Sequence, residues 1–385
     1  MHIALVTDFV KTPDNIDGGV AGVSKYLADE LVKKEDIKLT IIAPSYLQRE
    51  SFCQDWKKFK VYRVGKKGFL SVLPGRLYDL FSGKRQIHAL LKKINPDIVH
   101  FQGCTFLAAN CEIPYVLTIH GILERDALWV NKGISRWLKW ATLKLTEDFG
   151  RHRVTNVILI SNYTKEFLPE KNKLEKVWYI ENPIADSFFN IDWKPQPCRI
   201  FFCGRVSKLK NTLGLIKAFV LIAKRFPKAQ LRVAGLTSLR PEYVSKCRAL
   251  VKQSGLEDKV NFLGNISVND VQKELSKANC LVIPSFQENA PLAIEEAMAA
   301  GVPVVGSKVG GVVYMIEEGK TGFFIDPYNE ESIAESVGKI LGDDKLASFM
   351  SENAKRIAKS RFMASVVCEK TVDVYKNILS GKLPK

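Results

Sequence analysis

Two carboxylates, Glu288 and Glu296, stand with seven residues between them around the start of an apolar run, PSFQENAPLAIEEAMAAGVPVV. The strand-like CLVIP precedes them, Pro291 suits the first turn of a helix, and Gly301 followed by Pro303 marks the helix end. Such a helix opens with free amides between Asn289 and Leu292, around Ala290 and Pro291, and its dipole favours a phosphate or a polar sugar. One carboxylate can then read sugar hydroxyls and the other ribose hydroxyls. The alternative, Glu295 and Glu296 as ordinary surface charges of a helix, accounts for one of the pair but not for both.

Three further clusters follow predicted strands. In FCGRVSKLKN, Arg205 and Lys210 lie five residues apart in a turn, where both cations could converge on one diphosphate and stabilise a departing nucleoside diphosphate without a metal ion. Read alone, the same spacing also fits a solvated basic loop. His120, directly after YVLTI, is either an imidazole that hydrogen-bonds or polarises a substrate hydroxyl or a satisfied histidine at a strand end. Gly18-Gly19-Val20 would let backbone amides approach a phosphate, or is a plain turn.

The elements that must carry these residues alternate. HIALVT, LTIIAP, FKVYRV, DIVHFQG, YVLTIHG and NVILIS read as strands separated by helix-length segments, among them AGVSKYLADELVKK with Val23, Tyr26, Leu27 and Leu31 at helical spacing. After the polar ADSFFNIDWKPQP the pattern restarts with RIFFCGR, the helix LGLIKAFVLIAKRF, then QLRVAG, VNFLGN, CLVIPS, VPVVGS and TGFFIDP. The expectation is an α/β protein of two doubly wound domains, residues 1–185 and 186–364, and a final helix over about 365–381. In open parallel sheets ligands sit beyond the carboxyl ends of the strands, which is where all four clusters fall.

Length and composition agree: 385 residues exceed what one core normally supports, and 46% hydrophobic with 25% charged residues excludes a disordered or fibrous chain. No run reaches the roughly 18 apolar residues of a membrane span, and MHIALVTDFV lacks the features of a signal peptide, so a cytoplasmic protein is expected. The eight cysteines form no CxxC pair and no tight Cys/His cluster, which points to neither a zinc site nor a disulfide framework. The net charge of +16 favours anionic partners, and its excess lies in two stretches, Lys57 to Lys93 and Phe201 to Leu250, each with eleven basic residues and one acid.

Glu288 and Glu296 followed by AMAAGVPVV, with GRVSKLK upstream, the GGV loop, PDIVHFQG, TIHG, a GKTGFFIDP hairpin and a closing RF…VYKNIL helix, resemble the retaining GT-B glycosyltransferases of family 4. The resemblance spans nearly the whole chain. It implies two Rossmann-like domains facing across a cleft, a nucleotide-sugar donor such as a UDP- or GDP-hexose held mainly by the C-terminal domain, and an acceptor held mainly by the N-terminal one. It also implies that the final helix returns to the first domain. By matching position, Glu288 would contact the transferred sugar, Glu296 the ribose, Arg205 and Lys210 the diphosphate, and Gly18 and Gly19 the donor phosphates. His120 would lie near the sugar and the attacking hydroxyl, with no metal or other cofactor required. One departure stands out: where many members carry a Phe-Gly-Leu type of segment after the first glutamate, this chain has Asn289-Ala290-Pro291-Leu292, and Pro291 removes one amide donor.

On the acceptor side, Lys66, Lys67, Arg76, Lys84 and Arg85 surround the apolar GFLSVLPGRLYDLF, and WVNKGISRWLKWATLKL holds three of the six tryptophans. Such segments suit either the interface of an anionic bilayer or core helices with solvated basic faces. The favoured reading is a hexosyltransferase at the cytoplasmic face of a membrane, acting on a glycan or lipid-linked acceptor in cell-surface polysaccharide or glycolipid assembly. The competing readings are a GT-B-like epimerase of nucleotide sugars and a nucleic-acid binder, the latter without any RNP, KH, zinc-finger or helix-turn-helix signature.

Overall fold

Parallel strands covered on both faces read as near-continuous apolar runs, and the central strands of this chain have that character. The structure, a computed structural model, describes the chain outside residues 13–15, 17, 46–48, 57, 69–70, 72–77, 131–132, 169–175, 239–240 and 382–385. It divides into two compact units. Met1–Glu124, Gly133–Pro183 and Ala364–Lys385 form the first, and Arg125–Lys132 with Ile184–Met363 form the second.

The first unit is built on β1 (His2–Val6), β2 (Lys38–Ser45), β3 (Phe52–Trp56), β4 (Phe59–Gly65), β5 (Ile98–Gln102), β6 (Tyr115–Ile119), β7 (Asn156–Leu159) and β8 (Lys176–Tyr179). Their order is β3-β4-β2-β1-β5-β6-β7-β8, parallel except for the antiparallel β3–β4 pair. All five residues of β5 and of β6 are buried. The Gly19–Leu31 helix buries Val23, Tyr26, Leu27 and Leu31, the stripe expected from their spacing. The closing helix, Ala364–Leu379, shares one apolar cluster with it, in which Val367, Val372, Val374 and Tyr375 meet Leu27, Ala28 and Leu31. Full burial of a side chain of this size contributes about 1.5–3 kcal/mol, so this face fixes the terminal helix firmly in the first unit. A polar clamp adds direction: the Tyr375 hydroxyl and His100 Nδ1 are 2.6 Å apart, and His100 Nε2 lies 2.7 Å from Thr118 Oγ1.

The second sheet contains β9 (Arg199–Cys203), β10 (Gln230–Ala234), β11 (Val260–Gly264), β12 (Cys280–Ile283), β13 (Val304–Ser307) and β14 (Gly322–Ile325). All its pairs are parallel, in the order β11-β10-β9-β12-β13-β14. Counted within the unit this is 3-2-1-4-5-6, the Rossmann order, whose strand sequence reverses between β9 and β12. Its core packs Phe202, Ile200 and Val282 of the sheet against Leu215, Phe219 and Ile333 of the helices. The segment GKTGFFIDP forms no hairpin: after a turn at 317–321, β14 runs parallel to β13. Gly322 makes that approach feasible, since a Cβ there would fall 1.8 Å from the Val304 carbonyl oxygen.

Candidate functional site

A sheet of this order opens a crevice where adjacent connections leave in opposite directions, and here that point lies beyond the carboxyl ends of β9 and β12. Those two ends carry Arg205 and Lys210 on one side and Glu288 on the other. The loops are tied together, because the Phe286 amide donates to the Leu209 carbonyl at 2.9 Å. Lys210 Nζ forms an ion pair with Glu288 Oε1, and Ser285 Oγ donates to the same oxygen at 2.7 Å. Glu288 is nearly buried, so its carboxylate has lost most of its water and is held by a cation and a hydroxyl instead. Arg205 lies exposed at the start of the same turn.

The helix after this loop runs over Leu292–Ala300 and ends in Gly301, whose φ of 78° is the left-handed cap that glycine adopts at little cost. Pro291 is the residue before the first helical turn, with φ −72° and ψ 119°, rather than part of that turn. Pro291 contributes no side-chain cap to this end, and the Ile294 amide donates to the Pro291 carbonyl at 2.9 Å. Asn289 is nearly buried, while Ala290, Pro291 and Leu292 are partly exposed along the mouth. Neither glutamate of the helix is an ordinary surface charge. Glu295 is buried, and the surroundings of Glu296 push its carboxyl up to about 8, with loss of solvent as the cause. Glu296 and Lys210 both act electrostatically on Cys203, the last residue of β9, which brings the second carboxylate to the same strand end.

The first unit gathers the other cluster. His120 follows β6, and a Cβ placed on Gly103, just after β5, would lie 3.6 Å from His120 Cδ2 and 3.9 Å from Val20 Cγ2. The glycine loop and the histidine are therefore neighbours across the β1/β5 reversal of this sheet. Gly18 and Gly19 face open space, with nothing within 4 Å of an added Cβ. His120 Nε2 is hydrogen-bonded to the side-chain oxygen of Gln102, and Asn182 also bonds the ring. Burial lowers the His120 pKa to about 4, leaving a neutral imidazole near pH 7.

Three supporting residues had no separate signal in the sequence: Gln102 and Asn182 orient His120, and Ser285 orients Glu288. Gly310 is a fourth. Its φ is +50°, a Cβ there would sit 2.0 Å from the Glu288 carbonyl oxygen, and the Gly311 amide donates to that oxygen at 3.1 Å. Only a residue without a side chain lets this segment close on the backbone of Glu288.

The cation-bearing turn after β9 and the helix mouth after β12 meet at the sheet reversal, and comparison with known proteins gives the chain a family. Residues 17–188 match the family model described as Glycosyltransferase Family 4, and residues 184–357 match that of Glycosyl transferases group 1. The chain belongs to these glycosyltransferases, and its fold is GT-B. It is 27% identical to an uncharacterized glycosyltransferase of Methanocaldococcus jannaschii, over 98% of each chain. Among solved structures it is similar to sucrose-phosphate synthase from Thermosynechococcus elongatus, with TM-score 0.81, 18% identity and coverage of 99% of this chain and all of that one. It is also similar to HepE of Anabaena in complex with UDP-glucose, with TM-score 0.73 and 17% identity over 98% of this chain and 100% of the other.

Proposed function

We propose that the protein is a retaining hexosyltransferase that takes a nucleotide-sugar donor in its second unit and transfers the sugar to a hydroxyl of a glycan or lipid-linked acceptor. The observation that carries this reading is the convergence of Lys210 and Glu288 at the β9/β12 reversal, beside the start of the Leu292–Ala300 helix. In this reading Lys210 and Arg205 neutralise the donor diphosphate with the first-turn amides, so that negative charge developing on the leaving group is met without a metal ion. Donor entry turns Lys210 from Glu288 toward phosphate. Glu288, held by Ser285, then orients the sugar hydroxyls, and Glu296 binds the ribose. Gly18 and Gly19 give backbone access to the phosphates, and neutral His120 hydrogen-bonds near the attacking hydroxyl. Retention follows if the acceptor attacks on the face the leaving group departs from, its proton passing to the leaving phosphate oxygen. UDP-glucose in the Anabaena relative supports a uridine donor.

The acceptor reading has its own support. On the Gly133–Arg151 helix, Trp137, Leu138 and Leu145 are 55%, 65% and 72% exposed, and Lys139 and Lys144 are exposed on the same helix. An apolar stripe flanked by cations suits the surface of an anionic membrane, each Lys or Arg there contributing about 1 kcal/mol. The other stretch named from the sequence, GFLSVLPGRLYDLF, falls mostly outside the described residues, Arg76 included. Lys84 sits with its ammonium 5.3 Å from the Phe106 ring centre, while Arg85 is exposed.

Product analysis tests the enzymatic reading. Incubation with sugar nucleotides and lipid-linked or glycan acceptors, in chelator, is expected to release nucleoside diphosphate in proportion to a new glycoside of unchanged anomeric configuration. An isomerised sugar nucleotide without glycoside would instead identify an epimerase. For the membrane reading, the chain should sediment with anionic vesicles, and the combined Trp137→Ser, Leu138→Ser and Leu145→Ser variant should be released; a parent that stays in the supernatant removes the proposal.

A further inference from the structure

The donor-side loops of the second unit are closed by a residue from the first half of the chain. Trp129, near the end of the Leu123–Val130 helix, stacks face to face on Phe286, with ring centroids 4.6 Å apart and planes within 5°. Phe286 packs on its other neighbour, Tyr328, at 4.8 Å, and the Lys208 ammonium lies 5.9 Å from the Trp129 ring centre. Lys208, Trp129, Phe286 and Tyr328 thus connect three turns, those following β9, β12 and β14. Hydrogen bonds to main-chain carbonyls tie the same three turns: Phe286 N donates to Leu209 O at 2.9 Å, and the Asn211 side-chain Nδ2 to Pro327 O at 2.7 Å. Phe286 stands between Ser285 and Glu288, so the ring that Trp129 covers belongs to the short segment that presents the carboxylate and its hydroxyl partner.

The arrangement is more specific than apolar burial requires. Aromatic pairs gain from a defined geometry beyond the area they bury, and the flat stack restricts Phe286 to one plane. A cation on a ring is favourable, and Lys208 belongs to the same turn as Lys210. Tyr328, by contrast, is 68% exposed, so the column is anchored mainly from the Trp129 side.

We propose that Trp129 is a positioning residue for sugar transfer: by stacking on Phe286 it holds the segment 285–288 so that Glu288 faces the transferred sugar. The proposal rests on the donor-site reading of Glu288 given above. It separates two functions within the site. The diphosphate and ribose groups are assigned to Arg205, Lys210, the helix mouth and Glu296, outside the segment 285–288, whereas orientation of the sugar is assigned to Glu288 within it.

The test compares the parent with Trp129→Ala, Trp129→Leu and Trp129→Phe, measuring kcat and KM for a sugar nucleotide and the Kd of the corresponding nucleoside diphosphate. In Ala and Leu, kcat is expected to fall about tenfold or more while nucleoside diphosphate Kd stays within about twofold; Phe, which keeps a flat ring, is expected to restore kcat to within about threefold. Leu retains apolar bulk and keeps the test decisive if Ala does not fold. Leu with the parent's kcat, Phe as slow as Leu, or Kd weakened in step with kcat would each overturn the assignment. A parent that turns over no sugar nucleotide fails the donor-site reading itself and takes this proposal with it; an active parent matched by its variants refutes the Trp129 role alone.

Discussion

Glu296 offers the sharpest coupling between burial and ligand chemistry. Its carboxyl is pushed up to about 8 by loss of solvent, so near neutral pH the unliganded chain holds it largely protonated. To accept hydrogen bonds from two ribose hydroxyls it must ionise, and donor binding then releases a proton. At about pH 6.5 the ionisation costs roughly 2 kcal/mol, which is about thirtyfold in affinity relative to a pH well above 8. Affinity for a sugar nucleotide, whose diphosphate diester keeps constant charge over this range, should therefore rise nearly tenfold per pH unit up to about 8 and then level off. Calorimetric titration from about pH 6.5 to about 8.5, in buffers of different ionisation enthalpy, measures both the slope and the proton released. Glu296→Gln should bind more weakly at high pH and lose the slope. A flat profile in the parent, affinity that falls above 8, or an unchanged slope in the Gln variant would refute the reasoning.

Three other outcomes follow from the geometry. Gly310→Ala forces a Cβ toward the Glu288 carbonyl oxygen at a φ of +50°, and should lower kcat/KM at least tenfold; parent-like turnover would show that the contact is not rigid. Tyr375→Phe leaves the buried His100 Nδ1 without its hydroxyl partner and should cost about 1–3 kcal/mol in denaturant unfolding, with unchanged stability counting against the clamp. Burial lowers the pKa of His100 to about 3 and of His120 to about 4, so both are protonated more readily in the unfolded chain. The stability this supplies is present above 6.5 and declines as pH falls below it, by roughly 2 kcal/mol per histidine at pH 5. Unfolding midpoints at neutral and acid pH check this, since His120→Ala should lose less on acidification than the parent.

What the sequence made legible was set by burial. β1, β5, β6, β9 and β12 are covered on both faces and each announces itself as an apolar run, with candidate residues following closely after β6, β9 and β12. β3, FCQDW, gives no such signal: it is a mostly exposed edge strand paired antiparallel to β4, and only its Trp56 is buried. β8, KVWY, is a four-residue edge strand hidden for the same reason. At the site, residues that follow strands could be named individually, because the topology of parallel sheets says where strand ends go. Their pairings could not. Lys210 and Glu288 are 78 positions apart, and Gly310 meets Glu288 through a fold-level contact, so neither relation has a local pattern. The same holds for Trp129, whose ring reads as one more aromatic of a basic stretch until the chain places it on Phe286.

In the proposed function, the second unit grips a nucleotide sugar through Arg205 and Lys210. Thermal unfolding across a panel of sugar nucleotides in chelator tests it without any acceptor. One donor should raise the midpoint of the parent, consistent with about 2.7 kcal/mol of added stability at a hundredfold excess over Kd, and the double variant Arg205→Ala, Lys210→Ala should show no rise. An undiminished rise in the double variant, or no response of the parent to any donor, would contradict the account.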